Sequence, residues 1–428
     1  MLTGCRRFLV LLSCIPTVAH AHGINGHVWV SEQGLAGLRE CNTELRELLD
    51  EADARNAYRF GAAFPDSGYA TSRGREYGEA AHWERFLQFM IDDWRARFSR
   101  RLDDPEARRR AAFILGMAQH GLQDELFDSL FMRRAAESGD NEDLIDTGTD
   151  FVLVEEGVAN VRPTPWYPAD ITTVYAAAGI TVDSEVIDNG IFAVDKVVLG
   201  LQDSHPAGLA DEYRPELTWS TAHMLDARVP GAHAWEQQFV APYVEQLWMR
   251  LTWPVDRLAQ RDPWIGLVPV TDGVVATTDA VTIRSWVTLV FGVGLRVGDL
   301  ASAVTVRDED GDIVPVKVRG SRWAGQHDDY SRLIQIAPVP AWAAGQRYTI
   351  AVSDSVKTVD GVPLKVPVYT SFVVCADEAC AVDAGLSRAD SAWCEARLAG
   401  GCTASPGNGA DAGLGWLLPP LLWFWRRR

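Results

Sequence analysis

The feature that most constrains this chain is a change of hydrophobic periodicity at Asp262-Pro263. From His27 to about Trp253, apolar residues recur at three- and four-residue spacing through long runs with few prolines, which is the pattern of helices that bury one face. Beyond Pro263 the segments Val281-Thr282-Ile283, Val304-Thr305-Val306, Val314-Pro315-Val316-Lys317-Val318 and Tyr348-Thr349-Ile350-Ala351-Val352 are short and β-branched, with Gly and Asp turns between them. That is the pattern of antiparallel strands. A chain of 428 residues is also longer than one small core needs. The expected fold is therefore multidomain: an all-α domain over 22–260, then an all-β sandwich over 262–375, separable at the change of period.

The ends read as export signals. Arg6 and Arg7 supply a basic start, Phe8 to Val18 an apolar run and Ala19-His20-Ala21 a small-x-small cleavage site, so 1–21 is expected to be a signal peptide and His22 the new N-terminus. Of the seven cysteines, Cys5 and Cys14 lie in that signal, Cys41 stands alone, and Cys375, Cys380, Cys394 and Cys402 cluster late. An even cluster in an oxidising compartment points to two disulfides, and the absence of a Cys-x-x-Cys pair argues against a zinc knuckle. Residues 376–412 are rich in Gly, Ala, Ser and Asp, as linkers are. The last part, 413–428, sets an apolar run before Arg426-Arg427-Arg428 and is broken by Pro419-Pro420; it is shorter than the roughly 20 residues of a spanning helix. Cysteine, spacer, apolar run and basic terminus in that order resemble a bacterial C-terminal sorting signal for cell-surface anchoring.

The stretch after Asp104-Pro105 carries the most chemistry. An Asp cap with proline in the first turn starts a helix. Its stripe Phe113, Gly116, His120, Asp124, Phe127, Asp128, Phe131 places two carboxylates and a histidine on the face that should meet the core. Buried carboxylates are costly unless paired, and no Lys or Arg shares that face between Phe113 and Phe131. A metal ion or a hydrogen-bonded polar core would each account for them. Asp146 and Asp150, four apart, can likewise share a helix face. Asp66 sits in the stiff loop Phe64-Pro65-Asp66 with Tyr69 nearby, and His82 heads an amphipathic helix carrying Phe86, Met90, Trp94 and Phe98. A free amine at His22, its carbonyl and His27 could chelate one cation.

Gly23-Ile24-Asn25-Gly26-His27-Val28-Trp29, Phe64-Pro65-Asp66, His82-Trp83 and Leu115-Gly116-Met117-Ala118-Gln119-His120 with Asp124 follow one another in an order and spacing that resemble zinc-dependent phospholipase C. The likeness is closer to the catalytic domain of glycosylphosphatidylinositol-specific phospholipase D, and it covers roughly residues 22 to 250. The resemblance implies an all-helical fold with up to three zinc ions. Asp66, His82, His120 and Asp124 would hold one; Asp124 would bridge to a second held by His27 and the His22 terminus. Asp128, Asp146 and Asp150 would hold the third. The bacterial phospholipases offer two histidines and a glutamate at that third site, so an all-carboxylate set here favours Ca²⁺, Mg²⁺ or Mn²⁺ over zinc. By the same resemblance Asp66 would be the catalytic base, and the substrate a phosphodiester at a membrane surface, such as a phospholipid or lipid-anchor head group. The stretches Ala344-Gly345-Gln346-Arg347-Tyr348-Thr349-Ile350, Val359-Asp360-Gly361-Val362-Pro363-Leu364 and Ser371-Phe372 resemble the closing strands of bacterial immunoglobulin-like modules.

Two other functions compete. A single-strand zinc nuclease uses a similar cluster but needs a groove that attracts a polyanion, and 58 Asp+Glu against 40 Lys+Arg, a formal charge of −18, argues against nucleic acid as a partner. A non-catalytic surface binding protein with a degenerate metal site would also fit the carboxylate-only third site.

Overall fold

A computed structural model describes residues 23–203, 205–259, 261–268, 286–364, 368–374 and 387–388. The expected signal peptide, His22, the strand expected at Val281-Thr282-Ile283, the late cysteine cluster and the expected sorting signal lie outside these residues.

The first part is helical. Its principal helices are α1 (Ile24–Gly34), α2 (Ala52–Ala63), α3 (Arg75–Ala81), α4 (Glu84–Phe98), α5 (Pro105–Leu126), α6 (Ile145–Glu155) and α7 (His233–Thr252). The start of α5 follows its local chemistry: Pro105 occupies the first turn and the Asp104 side chain accepts from the Glu106 N–H at 2.8 Å. At its far end the helix widens into a π turn over Phe127–Met132 before a last α turn at Arg133–Glu137, so the regular spacing expected as far as Phe131 stops at Leu126.

Helices α2 and α5 cross at unusually short range because each offers a glycine. A Cβ on Gly116 would lie 1.9 Å from the Tyr58 carbonyl oxygen, and one on Gly61 would lie 2.3 Å from that of Phe113. Without side chains there, the backbones touch, and the Ala62 carbonyl comes to 2.7 Å from His120 Nδ1. Close approach is the role of glycine at these two positions.

The second part is built of antiparallel strands: β1 (Trp264–Val268), β2 (Val287–Arg296), β3 (Val304–Arg307), β4 (Val316–Arg319), β5 (Tyr330–Pro338), β6 (Arg347–Val352), β7 (Val368–Val373) and β8 (Ser387–Arg388). They form a five-stranded sheet in the order β4-β5-β2-β1-β8 and a three-stranded sheet in the order β3-β6-β7. The pair β8 comes from the stretch read as linker. Residues of both sheets share one core: Leu289, Phe291 and Val293 of β2 and Ile334 and Ile336 of β5 meet Val306, Ile350 and Phe372.

The five-stranded sheet has a second covered face. Ile265, Val290 and Leu333 belong to the core of the helical part, and Gly292 lies so close to α7 that a Cβ would meet Gln246 at 2.4 Å. This is why β2 is buried along nearly its whole length and reads as an almost unbroken apolar run. Helical and stranded parts thus pack in one compact unit; Asp262-Pro263 marks a change of secondary structure, and separability does not follow from it. Cys41, set apart in the sequence from the other cysteines, is disulfide-bonded. No helix among the described residues is long and apolar enough to cross a membrane.

Candidate metal centre

Three imidazoles and two carboxylates meet where α1, α5 and the two segments flanking α3 converge. His27 comes from the first turn of α1, where its backbone N–H bonds to the Gly23 carbonyl at 3.1 Å. Asp66 comes from a buried 3-10 turn, Pro65–Gly68, directly after α2. His82 closes α3 instead of heading α4. His120 and Asp124 are one turn apart on α5. All five are buried.

The outer nitrogens of the rings are already committed. His82 Nδ1 lies 2.7 Å from the Gly78 carbonyl and His120 Nδ1 2.7 Å from that of Ala62. A carbonyl only accepts, so both Nδ1 atoms carry the hydrogen, and in the neutral rings both Nε2 atoms are lone pairs. His27 Nδ1 lies 2.9 Å from the Gln123 side-chain oxygen, while the Gln123 amide nitrogen donates to Ser31 Oγ at 2.8 Å. The inner nitrogens then crowd together. His82 Nε2 and His120 Nε2 are 2.9 Å apart. His27 Nε2 is 3.1 Å from Asp124 Oδ1; His82 and His120 Nε2 are 3.4 and 3.3 Å from Asp124 Oδ2 and 3.3 and 3.6 Å from Asp66 Oδ1.

Despite those distances, neither oxygen of Asp124 nor Asp66 Oδ1 has a hydrogen bond of good geometry. Atoms that lie near each other without pointing at each other converge on shared space between them. His27, His120 and Asp124 form one group, and Asp66, His82 and His120 another, whose ligand atoms all lie within 4.8 Å of one another and could hold a metal ion. The ring nitrogen tied to a backbone carbonyl with the other turned inward is also the usual outer arrangement of metal-bound histidine.

The electrostatics agree. Burial disfavours a charged Asp66, but His120 and His82 outweigh it and hold the carboxyl well below its ordinary range. Burial also opposes protonation of His82, yet Asp66 and Asp124 raise its pKa to about 9. For His120 burial and the neighbouring His27 win, and its pKa falls.

The other expected ligands are arranged differently. Asp128 is buried and accepts from the Trp323 indole N–H at 2.6 Å. Asp150 accepts from Asn25 Nδ2 at 2.6 Å and from the Gly26 N–H at 2.8 Å, pinning the start of α1; burial lifts its pKa to about 6 against those bonds. Asp146 is half-buried on α6 with Asp150. Among the described residues, Asp128, Asp146 and Asp150 are not brought together within the 4.8 Å that defines the two groups above. His22 lies outside the described residues.

Several neighbours have no counterpart in the sequence reading. Gln123, which orients His27, lies between His120 and Asp124 on α5. His233 and Glu236 of α7 line the same interior: burial and then His27 push the His233 pKa down to about 3, and burial followed by Asp124 and Asp128 pushes that of Glu236 up. Arg332 and Trp323 reach the site from the stranded part, a contact that no local pattern announces.

No protein-family model and no curated protein matches the chain. Among solved structures, two of the bacterial S-layer protein SbsC match at 8% and 10% identity over 69% and 78% of this chain and 46% of theirs, each with a TM-score of 0.21. The chain thus spans about half the length of those structures. A third, of the N-terminal part of SbsC, matches at 10% identity over 79% of both chains, again at 0.21.

Proposed function

We propose that this chain is an exported, metal-dependent phosphodiester hydrolase of the zinc-dependent phospholipase C and D type, acting on phospholipid or lipid-anchor head groups at a cell surface. The observation that supports it most is the ring of inward Nε2 atoms of His27, His82 and His120 around an Asp124 carboxylate with no hydrogen bond of its own. An imidazole-rich set of this kind suits zinc. On this reading the helical part is phospholipase C-like, and the two sheets are an immunoglobulin-like module.

A zinc ion bound there would supply positive charge for a phosphodiester oxygen and acidify a water. The chain's own residues do the rest. Gly78 and Ala62 fix the ring planes of His82 and His120, and Gln123 fixes that of His27. Asp66, kept ionised by His120 and His82, is the carboxylate available to take a proton from the attacking water. The surrounding apolar core keeps bulk water from the buried groups.

The test is the metal content of the purified chain together with turnover on phosphatidylcholine, phosphatidylinositol and single-stranded DNA. Bound zinc with hydrolysis of a lipid and not of DNA is the expected result. Zinc without turnover on any of the three would favour the surface binding protein, and no metal at all would overturn the reading.

A further inference from the structure

The stranded part sends two side chains into the interior of the helical part: Arg332 ends on a residue of the candidate centre, and Trp323 on Asp128, which stands outside the two ligand groups. Arg332 of β5 is almost fully buried. Its Nη2 donates to the His82 carbonyl at 3.1 Å, its Nη1 to the Ala118 carbonyl at 3.2 Å and the Tyr243 hydroxyl at 3.1 Å, and its Nε pairs with Glu125 at 3.2 Å. Gly121 makes room for this: a Cβ there would lie 2.1 Å from the His82 carbonyl oxygen and 2.8 Å from Arg332 Nη2. One planar fork therefore ties the backbone of a candidate ligand to α5 and α7 at once. A few residues earlier, in the 320–329 connection between β4 and β5, Trp323 donates to Asp128 and the Arg322 N–H donates to Ser129 Oγ at 3.0 Å. In the same connection His327 stacks on Trp83, the residue after His82, with ring centroids 5.6 Å apart and an angle of 2°. Its Nδ1 lies 3.0 Å from Glu79.

We propose that the stranded part completes the metal centre, with Arg332 as the positioning residue for His82. This rests on the metal reading above. The chemistry is that of an outer layer: a ligand held by its own hydrogen-bond partners keeps its geometry when the cation leaves, and loss of such a partner typically costs about 10- to 100-fold in metal affinity. Lysine cannot replace the arginine, because a single ammonium does not reach four partners spread around a planar fork.

The experiment uses the full chain with Arg332→Lys and with the double variant Arg332→Gln/Glu125→Gln, which removes both members of the buried pair. Zinc affinity is read by competition with a chromophoric chelator, the geometry at the metal by the visible absorption of the cobalt-substituted protein, and folding by circular dichroism. The expected result is about a 10- to 100-fold weaker hold on zinc and an altered cobalt spectrum in both variants, with wild-type circular dichroism. Should Arg332→Lys fail to fold, the double variant decides alone, since it leaves neither charge of that pair buried without its partner. Wild-type affinity and spectrum in the folded variants would overturn the inference while leaving the metal reading intact. A wild-type chain that binds no zinc would overturn both.

Discussion

At the scale of single residues, Asp124 separates a metal centre from a polar core. It lies within 3.1–3.4 Å of three imidazole nitrogens with neither oxygen hydrogen-bonded. Replacing it with asparagine preserves size and removes the one charge that all three imidazole nitrogens face, so Asp124→Asn should lose bound metal and turnover together. Asp66 faces two of those nitrogens, on His82 and His120, and Asp66→Asn should keep most of the metal while losing roughly 10²–10⁴ in rate, the usual cost of removing a general base. Elemental analysis and a chromogenic phosphodiester measure both. If Asp124→Asn kept wild-type metal and rate, the cluster would be no more than a satisfied interior. His120 and Asp124 were legible because one turn of helix placed them on a core-facing stripe. Gln123 was not, because a buried glutamine carries no signal until its partner, His27, is known.

At the scale of elements, α1 matters because it carries His27 at one end and Glu32 near the other. Glu32 takes paired bonds from Arg55 at 2.9 and 3.0 Å and from Arg59 at 2.7 and 2.9 Å, both on α2. Burial opposes its ionisation, but the two arginines win and hold its pKa at about 2. A folded-state pKa below the ordinary 4.5 means that the stabilisation is present above pH 4.5 and is lost as the pH falls toward 2. Glu32→Gln should therefore flatten the fall in stability between pH 4.5 and 2. At neutral pH it should cost on the order of 2 kcal/mol, typical of hydrogen bonds to charged groups. Denaturant titrations at several pH values test this. The start of α5 was legible because the Asp104 cap is a local interaction. Its π turn and the position of His82 at the end of α3 were not, since both depend on what packs alongside.

For the whole molecule, the question is whether the helical part stands alone. A chain ending near Gln260 keeps every candidate metal ligand but loses Arg332, leaving Glu125 buried without its partner and the helical core without Ile265, Val290 and Leu333. Breaking a buried pair by removing one partner costs about 3–5 kcal/mol, a large share of the stability of an ordinary domain. The fragment 22–260 should show no cooperative thermal transition by circular dichroism, whereas the chain through Ala389 should.

The sequence by itself determined what is local or periodic: where helices give way to strands, where α5 begins, and that His120 and Asp124 face inward. Those follow from spacing along one segment, which the chain carries wherever it folds. Tertiary structure alone decided that Gly61 and Gly116 let α2 touch α5 and so supply the carbonyl that orients His120. It also turned Asp128 toward Trp323 and Asp150 toward the start of α1, and it inserted Arg332 beside His82. Each of those contacts joins residues far apart in sequence, and their partners are chosen by which backbones can approach closely enough for the buried polar groups to be satisfied.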